Sequence, residues 1–487
     1  MAGYFDTVAA ISTPPGKGGV ALIRMSGSEA NKIAERVFIT ASGKPYSEIK
    51  PRVQTYGFIT DLAEPKASEG NSQAEKTPEG TASPEERERI DDVLLTRFPA
   101  PNSYTGEDVV EICCHGGILV TRCVLEALIR AGARAAEAGE FTRRAFISGK
   151  LSLTEAEAIG TLLDAGSREQ IRISAEPARR RLEERIAKIR GELVGIMSSV
   201  YARIDYPDED LGDYSDGELL SALLSVADDL KSLAATYRTG RAITEGIRAV
   251  IVGKPNVGKS SLYNLLVGED AAIVTSVAGT TRDVLERSVP LGRVMLRLCD
   301  TAGIRGGKGI DAVEEIGIRK SRELMAKCEL LFAVFDNSED FDGADAELIS
   351  EISRLECAKI ALINKSDLKA KFDRSNLADI FERVIEVSAL DEAETVRSLV
   401  AAAEDMFTDG SIKAGLDPIL SSARQHGAIC AAADALSEAI AALRAGFMQD
   451  AVSGLVEAAI GYIGELDGRE VGEEIVSDIF SKFCVGK

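Results

Sequence analysis

The spacing of apolar positions changes along the chain, and each change marks a different kind of element. Residues 1–60 alternate short apolar runs with turn residues, as in Gly18-Gly19-Val20-Ala21-Leu22-Ile23-Arg24, a pattern that predicts α/β structure. From Leu62 to about Asp91 large apolar residues nearly vanish. Glu, Ser, Pro, Gly and Ala replace them, which predicts a disordered acidic surface insertion over about 62–91. Strand patterns resume at Asp92–Leu95 and Asp108–Ile112, and a helix is expected after Gly117. A helical period begins near Leu151, where Thr154-Glu155-Ala156-Glu157 reads as a capping box ahead of Ile159, Leu162 and Leu163. Leu182, Ile186, Ile189, Leu193, Ile196 and Val200 then alternate spacings of four and three, the stripe of a long amphipathic helix packed on a core. Asp205-Tyr206-Pro207-Asp208 ends that helix, and another is expected from about Glu218 to Tyr237. Helical patterns return at 421–445, 451–463 and 472–483.

Between the two helical stretches, the short apolar runs Ala249–Val252 and Ile360–Ile363 read as buried strands, each delivering a polar loop. The first loop is Gly253-Lys254-Pro255-Asn256-Val257-Gly258-Lys259-Ser260, in the GxxxxGK[ST] pattern, and Ser261-Leu262-Tyr263-Asn264-Leu265-Leu266 continues it as a helix. Its glycines let backbone N–H groups close around a β-phosphate, aided by the positive end of that helix. Lys259 can reach the β/γ-phosphates, and the Ser260 hydroxyl suits Mg²⁺. A phosphate loop alone is a common accident. Here Gly279-Thr280-Thr281, Asp300-Thr301-Ala302-Gly303, Asn364-Lys365-Ser366-Asp367 and Ser388-Ala389 follow in order, and the set reads as a guanine-nucleotide switch. An Asp367 carboxylate can accept from guanine's ring NH and exocyclic amine, a donor pair that adenine lacks, so the expected nucleotide is GTP. The nucleotide site is expected to comprise Asn256, Val257, Gly258, Lys259, Ser260 and Ser261; Thr275, Ser276, Val277, Ala278, Gly279, Thr280 and Thr281; Asp300, Thr301, Ala302 and Gly303; and Asn364, Lys365, Asp367, Ser388, Ala389 and Leu390.

Composition narrows the class. A chain of 487 residues, 45% hydrophobic and 28% charged, is expected to be globular with about three domains. With no run of 18 apolar residues and no basic n-region at Met1–Asp6, neither a membrane span nor a signal peptide is expected. The eight cysteines include no CxxC pair, which suits reduced thiols in a cytoplasm, and with only His115 and His426 a structural zinc site is not expected. Both histidines read as structural. A net charge of −21 is unlike that of a protein gripping nucleic acid alone, so an RNA substrate would call for a basic partner.

Two residues set the catalytic reading apart. Ile304 follows Asp300–Gly303, where many small GTPases place a water-orienting Gln. The Asn256 amide can serve a monovalent cation beside the β/γ-phosphates, though the residue alone does not decide this.

Beyond the switch motifs, the chain resembles the MnmE (TrmE) family of tRNA-modification GTPases over nearly its whole length. The resemblance rests on Pro14-Pro15-Gly16-Lys17-Gly18-Gly19, Ala21–Gly27, Ser103-Tyr104-Thr105-Gly106-Glu107-Asp108, His115-Gly116-Gly117, Gly139–Phe146, Gly149-Lys150-Leu151, Ala278–Asp283 and Phe483-Cys484-Val485-Gly486-Lys487. It implies a multidomain α/β and all-α protein. Residues 1–148 would form an α/β domain for dimerisation and folate binding; 149–244 and 409–487 would be two parts of one helical domain; and 245–408 would be an inserted Ras-like GTPase domain with a mostly parallel sheet. It implies K⁺ held by Asn256 and carbonyls of Thr275, Val277 and Thr280, and Mg²⁺ held by Ser260 and Thr281. Hydrolysis would follow when two GTPase domains meet, with Glu314, or the adjacent Glu315, orienting water. Arg24, Glu107, Lys150 and Lys487 match positions that bind a 5-formyl-tetrahydrofolate-type one-carbon carrier. Cys484 matches a residue implicated in the tRNA chemistry; a prenylation box fits it poorly, and a buried structural thiol is the other reading. The implied partners are a second copy, tRNA and an FAD-containing protein of the MnmG (GidA) type in a heterotetramer or larger complex. The rival readings are a ribosome-assembly GTPase of the Era or Der type, which calls for a basic RNA-binding appendage, and a signalling or scaffold GTPase whose helical domain docks protein partners.

Overall fold

The computed structural model describes residues 6–61, 88–205, 216–268, 286–299, 323–388, 390–447, 449–468 and 472–486. By its internal contacts the chain falls into two compact units, one of residues 1–160 and 467–487, the other of 161–466.

The first unit is built on seven strands: β1 (Val8–Ile11), β2 (Val20–Ser26), β3 (Phe38–Thr40), β4 (Thr55–Thr60), β5 (Arg89–Phe98), β6 (Val109–His115) and β7 (Arg134–Ala135). They lie in the order β3-β4-β5-β6-β2-β1-β7, antiparallel throughout except for the parallel β1–β7 pair. Alternation along β2 turns Ala21, Ile23 and Met25 into a core shared with the helices Ala30–Val37 and Ile118–Arg130, through Ile33, Val37, Val124 and Leu128. A smaller cluster joins Val8 and Ala10 to Phe141 of the helix Glu140–Ile147. Of the segment expected to be a disordered loop, 62–87 lies outside the described residues, whereas Arg89–Asp91 already belong to β5 and pair with β4.

The C-terminal helix Glu473–Ser481 is part of this unit. Its Val476 and Phe480, with Phe483 beyond it, pack on Leu153 and Ala156 of the helix Leu153–Leu163. That helix starts on a different box from the one expected. Glu155 N donates to Ser152 Oγ at 3.0 Å and Ser152 N to a Glu155 carboxylate oxygen at 2.9 Å, two residues earlier than the Thr154–Glu157 frame. Both frames satisfy the sequence rule, and Leu153, fully buried as the first helical residue, selects the earlier one.

In the second unit the helices Glu176–Asp205 and Asp216–Ala235 share a core with Ala423–Arg444 and Gln449–Asp467. Leu182, Ile186, Ile189, Leu193, Ile196 and Val200 are all buried there, as their spacing predicts. Ala423–Arg444 is long and apolar enough to cross a membrane by composition, yet Ala428, Ile429, Ala432, Leu436 and Ala439 lie in this core. Residues 206–215 lie outside the described residues.

The same unit holds a six-stranded sheet: β8 (Ile247–Gly253), β9 (Glu286–Leu291), β10 (Val294–Cys299), β11 (Leu330–Asp336), β12 (Ala358–Asn364) and β13 (Arg383–Glu386), in the order β13-β12-β11-β8-β10-β9. Every pairing is parallel except the β9–β10 hairpin, which turns at Gly292, φ +60°. β11 is buried at every position, as a central parallel strand covered on both faces must be. The carboxyl ends of β8, β11 and β12 therefore present their loops side by side, where ligands bind in open parallel sheets. The short helix Tyr237–Thr244 leads into this sheet: Gly240 meets Leu420 so closely that a Cβ would stand 1.9 Å from its carbonyl oxygen, and Arg241 pairs with Glu329 just ahead of β11.

Candidate functional site

The phosphate loop leaves β8 at Gly253 and enters the helix Lys259–Val267. Its backbone needs conformations that most side chains disfavour. Gly253 has φ +151° and Gly258 φ +103°; a Cβ would stand 2.4 Å from Val334 O at the first and 2.0 Å from Asn364 Nδ2 at the second. Between them Asn256 is left-handed at φ +65°, a region that Asn enters more readily than most residues, and it is exposed at the loop tip. The Lys259 ammonium donates to the carbonyl of Lys254, so it rests on its own loop. Ser260 and Ser261 are exposed in the first helical turn. The Lys254 side chain runs to the start of the helix Gly343–Ile352, where Nζ lies 2.9 Å from both Asp342 Oδ2 and Asp345 Oδ2.

The base-recognition loop after β12 is locked to this frame. Asn364 Nδ2 donates to Val257 O at 2.7 Å, tying the second motif to the phosphate loop. Lys365 is left-handed at φ +61°, and its ammonium pairs with Asp336 at the end of β11. Burial raises the Asp336 carboxyl, but Lys365 and the Ser338 donors outweigh it and hold the group below the usual carboxylate range. Asp367 Oδ1 accepts from Ser388 Oγ at 2.6 Å, and Leu390 N donates to the same hydroxyl at 3.2 Å. One carboxylate oxygen is thus held while the motif faces a cleft of about 830 Å³, lined by Ser261, Asn264, Val267, Asn364, Ser388 and Thr395. The structure brings together Asn256–Ser261, Asn364, Lys365, Asp367, Ser388 and Leu390. Thr275–Thr281, Asp300–Gly303, Glu314 and Ala389 lie outside the described residues. Sequence reasoning missed Asp336 and the Asp342/Asp345 pair; an Asp closing the apolar run Leu330–Phe335 was the available signal for the first.

In the first unit, Arg24 and Glu111 stand opposite each other on β2 and β6, with Arg24 Nη2 2.7 Å from Glu111 Oε1. The Arg24 guanidinium also lies 5.2 Å from the Tyr104 ring centre. Glu107 accepts from Ser26 Oγ at 2.7 Å and from Arg144 Nη1 at 3.1 Å. Arg144 is almost fully buried and also binds Glu140 and Asp6, both at 2.8 Å through Nη2, while Arg134 closes the cluster on Glu140. Burial pushes the Glu140 carboxyl up, but Arg134, the Glu137 backbone donor and Arg144 together bring it below its ordinary value. Lys150 is exposed near Gly106, where a Cβ would lie 3.5 Å from its Cε. In the sequence Arg144 is one position of the Gly139–Phe146 motif, and its role as the hub is not legible there because its partners lie up to 138 residues away.

All eight cysteines are free, and Cys484 is exposed. The strand-like tail around it is pinned through its backbone: Ala138 bridges Val485, Ser12 Oγ donates to Gly486 O at 2.9 Å, and Gly139 N points to Cys484 O at 3.4 Å. Gly139 is left-handed at φ +65°, and a Cβ there would stand 2.4 Å from Phe480 O, so the tail docks on a site only glycine permits. Lys487 lies outside the described residues. Each histidine has a structural partner: His115 Nδ1 lies 2.7 Å from Asp91, and the His426 ring stacks on Tyr237 at 4.3 Å.

Comparison with known proteins supplies the setting for these sites. Residues 7–150 match the family model described as GTP-binding protein TrmE N-terminus, and residues 153–484 match the MnmE helical domain. The tRNA modification GTPase MnmE of Lactiplantibacillus plantarum is 35% identical over 486 residues, covering 99% of each chain. That of Clostridioides difficile is 36% identical over 484 residues, again 99% of each. Among solved structures, Aquifex aeolicus Era is 24% identical with a TM-score of 0.26, over 39% of this chain and 66% of its own. The G domain of the Thermotoga maritima FeoB iron transporter is 21% identical with a TM-score of 0.24, over 32% and 98%. Nothing further rests on these two partial likenesses. The matches along the full chain do decide the matter: it belongs to the MnmE (TrmE) family of tRNA modification GTPases and is a GTP hydrolase.

Proposed function

We propose that this chain is a K⁺-dependent GTPase that acts with an FAD-containing partner of the MnmG (GidA) type. Together they would build the aminomethyl or carboxymethylaminomethyl group at C5 of the tRNA wobble uridine. The observation that carries the cation mechanism is Asn256, left-handed and exposed at the tip of the phosphate loop, in a chain that has Ile304 where a water-orienting Gln would stand. The exposed amide and the exposed Ser260 hydroxyl are hard oxygen donors on the phosphate side, which fits K⁺ at the first and Mg²⁺ at the second. Asn256 with the carbonyls of Thr275, Val277 and Thr280 would hold K⁺, Ser260 with Thr281 would hold Mg²⁺, and both ions would supply positive charge beside the β/γ-phosphates.

The protein's own residues do the rest. Lys259 exchanges the Lys254 carbonyl for phosphate oxygens, Asp367 reads guanine while Ser388 steadies it, and Glu314 orients the attacking water. Hydrolysis occurs as two GTPase domains of a homodimer meet, and it drives conformational change rather than chemistry on uridine. The first unit binds a 5-formyl-tetrahydrofolate-type carrier through Arg24, Glu107, Lys150 and Lys487; Glu107 is already oriented for this by Ser26 and Arg144. Exposed Cys484 serves the tRNA chemistry, and the complex works in the cytoplasm. The partner supplies the flavin and much of the basic surface that a chain of net charge −21 lacks.

GTP turnover in matched KCl and NaCl tests the mechanism. Faster hydrolysis in KCl, abolished by Asn256→Ala, is expected. Equal rates in the two salts would overturn it.

A further inference from the structure

We propose that Lys254 is a positioning residue for the nucleotide: ion-paired to Asp345 and Asp342, it sets where the phosphate loop sits and so how tightly the loop grips phosphate. Lys254 works from both ends. Its side chain, 14% exposed, reaches Asp345 Oδ2 and Asp342 Oδ2 at 2.9 Å each. Its carbonyl receives the Lys259 ammonium, the group that must be released to the phosphates. Moving the Lys254 backbone therefore moves the resting place of Lys259.

The anchor is firm because of what it anchors to. Asp345 has a side chain only 2% exposed, sits in the first turn of the helix Gly343–Ile352 and completes a capping box with Asp342. Its Oδ2 accepts from Lys254 Nζ and from Asp342 N at 3.2 Å, while its Oδ1 is buried with no hydrogen-bond partner. A carboxylate so enclosed needs the Lys254 cation, since removing one member of a buried pair leaves an uncompensated charge. Burial lowers the affinity of Lys254 for its proton, but Asp345 and Asp342 more than restore it, so the lysine stays charged. Gly253 against Val334 and Val257 O on Asn364 hold the loop through uncharged contacts. Lys254 adds a charged fastening of the loop to the body of the sheet domain. It touches no reacting atom, and its effect should fall on binding rather than on the chemical step.

The test uses the full-length chain with a fluorescent GDP analogue, GTP turnover and thermal unfolding. Lys254→Met should weaken GDP binding and raise KM for GTP by about tenfold, the effect of losing one well-formed charged contact, with kcat at saturating GTP within about twofold. Lys254→Arg, which keeps the cation, should restore most of the affinity. A Lys254→Met protein that melts earlier but binds GDP as tightly as the unaltered chain would reduce the pair to a stability feature and overturn the proposal. A fall in kcat with unchanged KM would also overturn it. If Lys254→Met does not fold, Asp342→Asn keeps the helix cap and removes one of the three charges facing the lysine, Asp342 and Asp345 at 2.9 Å and Glu339 at 3.9 Å. It should weaken GDP binding about twofold to threefold, and unaltered affinity there would overturn the proposal equally.

Discussion

The phosphate loop and the buried arginine cluster of the first unit hold their functional groups in opposite ways. The loop depends on the absence of side chains. Gly253 and Gly258 leave room for Val334 and Asn364, and its charged anchor, Lys254, is set to one side. The cluster depends mainly on charged side chains: Asp6, Glu107, Glu140 and Arg134 gather around the buried Arg144, and Glu107 is aimed as a by-product. Apart from Lys254 and the phosphate-binding Lys259, a backbone-built site should tolerate changes of charge and fail on added volume. A charge-built site should do the reverse.

The largest effect is expected at Arg144. Arg144→Met roughly keeps the volume but leaves Glu107 without its guanidinium and Glu140 with Arg134 alone, and should destabilise the first unit by about 3–5 kcal/mol, read by thermal or urea unfolding. A shift of less than about 1 kcal/mol would deny the cluster its structural weight. The same cluster sets an acid limit. The Glu140 carboxyl is held below its ordinary value, so its stabilisation is present in full above the usual carboxylate range and is lost as pH falls through the depressed value. Stability measured against pH in the unaltered chain should show this acid decline, and Glu140→Gln should flatten it.

At Gly258, Ala would need φ +103° and would press its Cβ on Asn364 Nδ2. We expect a loss of about 2–4 kcal/mol in GDP affinity, from backbone strain and a broken Asn364–Val257 bond, with folding retained. Asp367→Asn should weaken GTP by about 2 kcal/mol, since a charged acceptor is replaced by an amide. Turnover should return with xanthosine triphosphate, whose extra carbonyl accepts from the new donor. Failure to recover it would take Asp367 out of base recognition. Ser388→Ala removes the 2.6 Å contact that steadies Asp367 and the acceptor of Leu390 N, and should cost about 1 kcal/mol in GTP affinity.

The same contrast explains what could be read in the sequence. Backbone-built features announce themselves locally: Gly253, Asn256 and Gly258 occur at fixed spacing because φ demands it, and the buried strands at Ala249–Val252 and Ile360–Ile363 fall inside β8 and β12. The long helix from Glu176 was legible because its stripe repeats for many turns. Features made by distant pairing were not. Ser152–Glu155 and Thr154–Glu157 obey one capping rule, and only the burial of Leu153 separates them. Arg89–Asp91 look like the polar end of a loop, yet β4 recruits them into β5. The tail around Cys484 continues a helical pattern in sequence, but Phe480 and Phe483 carry it to Gly139 and Leu153 in the first unit. Arg144 is one more charged residue until Asp6 and Glu107 reach it.

The central claim is that GTP hydrolysis in this chain serves modification of the tRNA wobble uridine. Nucleoside analysis of tRNA from cells lacking the protein tests it most directly. The account predicts loss of 5-aminomethyl- and 5-carboxymethylaminomethyl-type uridines, restored by the unaltered chain and not by Cys484→Ser, although that variant still hydrolyses GTP. Unchanged amounts of these nucleosides in cells lacking the protein would contradict it.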